Sequence, residues 1–244
     1  MQNHPLACGV DLRPERADRV EMRLQFSQQF PVAAQRGFRA PDATDLYSLF
    51  GGNPNLKPEE SESYELSYRQ QLGERQSVSI SAYRNDIDQL IAFVPTGPIT
   101  GINLNVDRAR IDGVEAAWQY DHERWSARAT ATFQDPRDRT TGERLLRRAR
   151  ENYTAAVVRR FGGHEVALDV LYAGERRDND AIDFDGQVQL DAYWLANLSV
   201  KFALGDRFSL LARIENLLDE DYELAHTYNS AERSYFAAIR YEFR

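Results

Sequence analysis

The chain has 244 residues, of which 42% are apolar and 28% charged, and its formal net charge is −8. No run approaches the roughly 20 apolar residues that carry a helix across a bilayer, which excludes a helical membrane protein but not a barrel, whose strands alternate and keep mean hydropathy low. The acidic balance, with Arg147, Arg148 and Arg150 as the densest basic cluster, argues against a nucleic-acid partner. A single cysteine, Cys8, excludes an internal disulfide, and His4, His122, His164 and His226 lack metal-ligand spacing, so no metal and no cofactor are expected.

Residues 1–17 are ragged and charged and carry no apolar core of a signal peptide; they are expected to be disordered. From residue 18 onward the dominant signal is period-2 alternation. Val20, Met22, Leu24 and Phe26 open it. Tyr64, Leu66 and Tyr68 follow, then Val78, Ile80 and Ala82 against Ser77, Ser79 and Ser81. Val114, Ala116, Trp118 and Tyr120 continue it, then Trp125 to Phe133, Val166 to Tyr172, Leu190 to Phe202, Phe208 to Ile214 and Tyr235 to Phe243. The pattern predicts about ten strands, over 18–37, 61–71, 76–92, 107–120, 124–134, 151–161, 164–173, 189–203, 207–216 and 233–243. Helical spacing occurs only near 40–50 and 143–151.

The connections alternate long and short. The tight ones are 72–75, 121–124, 161–164 and 204–207; the long ones are 38–60, 93–106, 135–150, 174–188 and 217–232. An outer-membrane barrel has this order, because one rim carries short turns and the other long extracellular loops. Aromatics gather at both ends: Tyr68, Trp118, Tyr120, Trp125, Phe161, Phe202, Phe208, Tyr241 and Phe243 near short turns, and Tyr83, Phe133, Tyr172 and Tyr235 near long loops. Two such belts fit the two membrane interfaces. The fold expected is all-β, an antiparallel transmembrane β-barrel occupying 18–244. Glu65, Glu115, Arg128, Asp169, Arg213, Glu215, Arg240 and Glu242 are expected on its lumen face; in a soluble sandwich they would be the solvent face.

Five ordered motifs carry a resemblance. Gly37-Phe38-Arg39-Ala40-Pro41 with Leu46-Tyr47, then Gly52-Asn53-Pro54-Asn55-Leu56-Lys57-Pro58-Glu59, come first. Tyr83 to Ile91, Gly113-Val114-Glu115 and Asn216-Leu217-Leu218-Asp219-Glu220-Asp221-Tyr222 complete the set. Together they resemble TonB-dependent outer-membrane receptors of Gram-negative bacteria. The resemblance implies about ten strands of a barrel of about 22, with the plug domain absent, so that the chain is expected to be a fragment. It further implies uptake of a bulky nutrient, a TonB system acting through the plug, and no enzymatic chemistry. Tyr235 to Phe243 is similar to the terminal strand that outer-membrane assembly machinery recognises, although Arg244 follows the aromatic residue. The proline-bearing 52–59 motif reads as a turn that re-orients the chain at the outer rim, and Asn216 to Tyr222 as a strand cap that starts a loop.

Within the family, Leu145-Leu146-Arg147-Arg148-Ala149 resembles the vitamin B12 receptors, which makes cobalamin the expected ligand and a ferric siderophore the alternative. A passive pore and a soluble all-β binding module are the alternatives of another class. The resemblance makes Arg147 a ligand-contacting arginine, its guanidinium donating to amide carbonyls or a phosphate. A rim arginine paired with Glu143 or Glu151 is the equal alternative. The family's second contact, a tyrosine, falls here at Ala181. Asp178, Asp180, Asp183 and Asp185 are dense enough for a calcium loop but lack the EF-hand pattern, and a solvated acidic loop is the preferred reading. Serine chemistry would need His226 joined to Ser230 and Asp221.

Overall fold

The computed structural model describes residues 20–22, 28–97, 100–180, 182 and 186–243. The expectation for residues 1–17 lies outside them. Short turns set the architecture. Between β8 (Glu151–Phe161) and β9 (His164–Ala173), Gly162 and Gly163 both have positive φ, 53° and 83°. That is the mirror-image turn whose twist matches antiparallel strands, and Phe161 and His164 face each other across it.

The same connection rule builds a meander. β1 (Val20–Met22), β2 (Gln28–Gln29) and β3 (Val32–Arg39) come first, then the five-residue helix α1 (Ala43–Tyr47). β4 (Glu59–Leu72), β5 (Gln76–Gly97), β6 (Thr100–Asp121) and β7 (Trp125–Asp138) follow, leading into β8 and β9. After a small two-stranded hairpin, β10 (Arg176–Asn179) with β11 (Gln187–Leu190), the sheet resumes with β12 (Tyr193–Ala203), β13 (Phe208–Glu215) and β14 (Ser234–Tyr241). Every pairing in the main sheet is antiparallel, in the order β1-β3-β4-β5-β6-β7-β8-β9-β12-β13-β14, with β2 beside β4. The sheet is an open segment of a barrel wall: β1 and β14 are its two ends.

Register sorts the side chains. One face carries Leu66, Ala82, Val114 and Phe133 in a single row and Val157, Leu168, Leu198 and Ile214 in another. This is the lipid face. Across its upper edge Phe133, Tyr153, Tyr172 and Trp194 form a continuous ring ladder, with centroids 5.5, 5.3 and 4.8 Å apart. Phe161, His164 and Phe202 make the lower counterpart. Directly above Leu66 to Phe133, the same face turns ionic: Arg36–Glu62, Arg84–Asp112 and Arg110–Asp86 at 2.6 Å and Arg137–Asp135 at 2.7 Å. Charges are costly in hydrocarbon and tolerable at its edge, so this ladder marks the upper limit of the lipid. The opposite face holds the strand-borne charges expected to point into the lumen. There Glu115 lies level with Ser81 and Thr132, Asp169 with Asn197, Arg213 with Ser199 and Arg240 with Ser209.

Five expectations need correction. The strand predicted over 18–37 is three pieces: β1 folds back antiparallel on β3, and Phe30-Pro31 separates β2 from β3, Pro31 accepting from the Ser67 amide at 2.9 Å. The strand predicted over 189–203 is two, because β11 leaves the wall to pair with β10 while β12 pairs with β9 and β13. The loop predicted over 93–106 is mostly ladder, since β5 and β6 pair to Gly97 and Thr100. At about 3.3 Å per residue these strands run roughly 70 Å, well past the 9–11 tilted residues that cross a bilayer. Residues 143–151 are not helical: Arg144 bridges Arg137, and Arg147 has φ 57°, a left-handed value that ends any right-handed turn. Tyr83 belongs to no belt. It sits on the lumen face, its hydroxyl 3.4 Å from Gln134 Oε1, and its ring covers Gly113, where an added Cβ would lie 2.4 Å from the ring.

The motif segment 40–58 packs on the inward side of the β5–β6 hairpin. Asn53 Nδ2 donates to Asn103 O at 2.9 Å, Lys57 N to Asn105 Oδ1 at 2.9 Å, and Asn105 Nδ2 returns to Lys57 O at 2.9 Å. Arg39 clamps Glu59 through Nε and Nη2, both at 2.9 Å, and reaches Asp45 with Nη1 at 2.9 Å. Glu59 also accepts from the Ile91 amide at 2.8 Å. Three of the sequence motifs therefore meet in one network, and the re-orienting turn expected of 52–59 is what they build.

Leu168→Arg, at mid-height on the lipid face, should cost about 2–4 kcal/mol, while Ala167→Arg, one residue along on the lumen face, should cost far less. Urea titration in detergent, read by the heat-modifiable band shift of folded barrels, checks the contrast. Glu59→Gln should loosen segment 40–58 by about 1 kcal/mol, read as faster amide exchange at Ile91 and Asn53 with the barrel strands unchanged.

Candidate functional site at the outer loops

Three long loops converge above β7, β8, β9 and β12. The first, 139–150, carries Arg147. Its backbone N–H donates to Arg177 O at 2.7 Å, and its Nε donates to Asp178 Oδ1 at 2.7 Å. Asp178 lies in β10. Its carboxylate also accepts from its neighbour's amide, Asn179 N, at 2.8 Å, and from His226 N, in the third loop, at 2.8 Å on Oδ2. Each loop thus supplies one part: the arginine, the carboxylate and a backbone donor.

Burial differs sharply across the pair. The Asp178 side chain is 1% exposed and that of Arg147 is 59% exposed. Burial pushes the Asp178 carboxyl up, but the His226 amide, Arg147 and the Asn179 amide outweigh it together and hold the group below the usual carboxylate range. The arginine is consequently fixed at its Nε side and open at its Nη side.

The alternative partners expected of Arg147 are otherwise engaged. Glu143 pairs with Arg177 Nη1 at 2.9 Å, and Glu151 accepts from the Tyr153 hydroxyl at 3.2 Å. Sequence reasoning missed Asp178 as the partner and grouped it with an acidic cluster. Asp183, Asp185 and Ala181 lie outside the described residues. Asp180 is 3.7 Å from His226 Nε2, and Glu223 is 3.6 Å from His226 Nδ1. No hydrogen bond or ion pair among the described residues joins His226 to Ser230 or Asp221. Beneath the loops, Arg176 is buried over the Tyr193 ring, 5.0 Å from its centroid, and donates to the Gly174 and Glu223 carbonyls. Tyr193 in turn meets Tyr222 at 4.7 Å. Asn216 caps β13 as expected, exchanging hydrogen bonds with Glu220 at 2.8 and 2.9 Å.

An open antiparallel wall with an apolar outer face, a polar inner face and long loops at one rim fits a known family: the sequence model described as "TonB dependent receptor-like, beta-barrel" matches residues 23–217. The chain belongs to this family. Its strands form an open stretch of outer-membrane β-barrel wall of the TonB-dependent receptor type. It is 37% identical over 224 residues to the vitamin B12 transporter BtuB of Vibrio vulnificus, covering 88% of this chain and 35% of the relative. It is 35% identical over 216 residues to the BtuB of Photobacterium profundum, covering 86% and 34%. The chain spans about a third of the length of these relatives. Its fold is similar to that of the copper transporter OprC, with a TM-score of 0.74 at 18% identity over 92% of this chain and 38% of that one. The siderophore receptor PirA from Acinetobacter baumannii gives 0.72 at 18% identity over 92% and 40%.

The depressed Asp178 carboxyl has a definite pH consequence. Its folded value lies below the unfolded value of about 3.9, so its stabilising contribution is fully present above pH ~4 and is lost as pH falls through the lower folded value. Amide exchange at Asn179, which donates to this carboxylate, should be flat from pH 7 to 5 after correction for intrinsic rates, and should accelerate only below the ordinary carboxylate range.

Proposed function

We propose that this chain forms part of the wall and outer mouth of a receptor that takes up cobalamin across the outer membrane. The observation that carries the reading is Arg147, held by a buried carboxylate with its Nη donors exposed at the extracellular rim. A guanidinium fixed in this way can donate a fork of hydrogen bonds to amide carbonyls or a phosphate, and cobalamin offers both. The sequence similarity to two vitamin B12 transporters supports the same ligand. In this reading the ligand is captured at the loops. A plug then rearranges under energy transmitted by the TonB system, and the ligand passes along the polar face. Binding and passage are the whole activity, with no bond made or broken in the ligand. Assembly machinery engages the terminal strand, Tyr235 to Phe243.

Ferric siderophores are the competing ligand class, because Ala181 stands where the vitamin B12 receptors place a tyrosine. Equilibrium binding of labelled cyanocobalamin to outer membranes of cells producing the protein separates the two. Saturable binding that Arg147→Ala weakens by roughly 10-fold, the scale of one charge-assisted hydrogen bond, is expected. Binding of ferric siderophores with no cyanocobalamin signal would replace cobalamin by the alternative.

A further inference from the structure

Asp178 has more partners than a rim carboxylate needs. Both oxygens are used: Oδ1 by Arg147 Nε and the Asn179 amide, Oδ2 by the His226 amide. Its strand is paired to β11 through Val188, so the carboxylate sits on a small braced platform, unlike the turn that carries the arginine. Arg147 holds a left-handed backbone value without being glycine, a conformation that persists only where surroundings over-determine it. The contacts that do so are its own amide on Arg177 O and its Nε on Asp178.

We propose that Asp178 is a positioning residue for ligand recognition, orienting the Arg147 guanidinium and tying the arginine's loop to the two neighbouring outer loops. This rests on Arg147 being a ligand contact. The physical argument has two parts. An arginine side chain is rotamer-rich, and fixing its Nε before the ligand arrives removes an ordering cost that binding would otherwise bear. A buried carboxylate in turn needs a cation and amide donors to remain charged, so the aspartate and the arginine each require the other. Because the His226 amide shares the same carboxylate, occupancy at Arg147 is linked to the order of the 216–233 loop.

A double-mutant cycle on cyanocobalamin binding tests this in native outer membranes, using Arg147→Ala, Asp178→Asn and the pair. Asparagine keeps the shape and one acceptor oxygen but loses the charge that holds Nε. The expected result is that each single variant weakens binding by about the same factor, roughly 10-fold, and that the double variant is no weaker than Arg147→Ala. Equal further loss from Asp178→Asn in the Arg147→Ala background overturns the proposal, because the aspartate then acts through general loop structure. Loss with Arg147→Ala alone overturns it as well. If no variant changes cyanocobalamin binding, the ligand reading of Arg147 falls and takes the positioning role with it, an outcome distinct from the other two. Where Asp178→Asn does not give the heat-modifiable folded band, Asp178→Glu, which keeps the charge but displaces it by one methylene, enters the same cycle with the same criteria.

Discussion

Hydrocarbon offers no hydrogen-bond partner to a peptide group, so every amide and carbonyl of a lipid-crossing segment must be satisfied by the protein itself. That constraint organises this chain. It makes each strand inside the wall pair with a neighbour on both sides, which gives the continuous antiparallel order β3-β4-β5-β6-β7-β8-β9-β12-β13-β14, with β14 at one open end. It also forces one face of each strand to be apolar and leaves the other free to be polar. The result is a sequence with charged residues throughout its length that still presents an apolar band to lipid. Where the band ends, the same face changes from Val114 and Phe133 to Asp112 and Asp135 within one step of the pleat. The boundary between membrane and aqueous phase is thus written in side chains two residues apart.

Above that boundary the constraint is lifted, and structure there depends on side-chain contacts instead. The β5–β6 hairpin continues its ladder into water, and what steadies it is segment 40–58. Asn103 and Asn105 use their side-chain amides to satisfy backbone groups of Asp45 and Lys57, in a passing chain that has no ladder of its own. Arg39 and Glu59, which lie opposite each other at the ends of β3 and β4, close the base of the same segment. The arginine of one motif and the glutamate of the next are therefore two halves of one ion pair. Gly113 has a similar explanation, since its missing side chain is the space that Tyr83 fills.

How much could be read from sequence follows this division. The bounds expected for β8 and β9 are those observed, because alternation on both faces and a Gly-Gly turn are local signals. The β5–β6 extension was not legible. Leu90-Ile91-Ala92-Phe93-Val94 is apolar without alternation, and Gly97 and Gly101 look like loop residues; the pairing is sustained by residues about 50 positions earlier. β1 was hidden for the converse reason, since Val20, Met22, Leu24 and Phe26 alternate smoothly towards the next strand and announce no reversal. At the site, Arg147 could be picked out by its motif, but its partner could not. Arg147 and Asp178 are 31 positions apart, and nothing in an acidic stretch marks Asp178 as a carboxylate that is buried.

The membrane also explains why recognition should rest on such a pair. Wall residues answer to lipid on one face and to the lumen on the other, and their register is fixed by neighbours on both sides. They have little freedom to be fitted to a ligand. The long loops have that freedom, but a loop without a core pays for it in disorder. A soluble protein would fix a loop by burying apolar side chains. Here Ala149, Leu190 and Tyr193 are buried around a centre that is polar: Asp178 receiving Arg147, the Asn179 amide and the His226 amide, with Arg176 stacked on Tyr193 beneath. A polar centre is directional where an apolar one is not. It fixes the angle of the arginine fork as well as its place, and hydrogen-bond recognition of a rigid ligand depends on that angle.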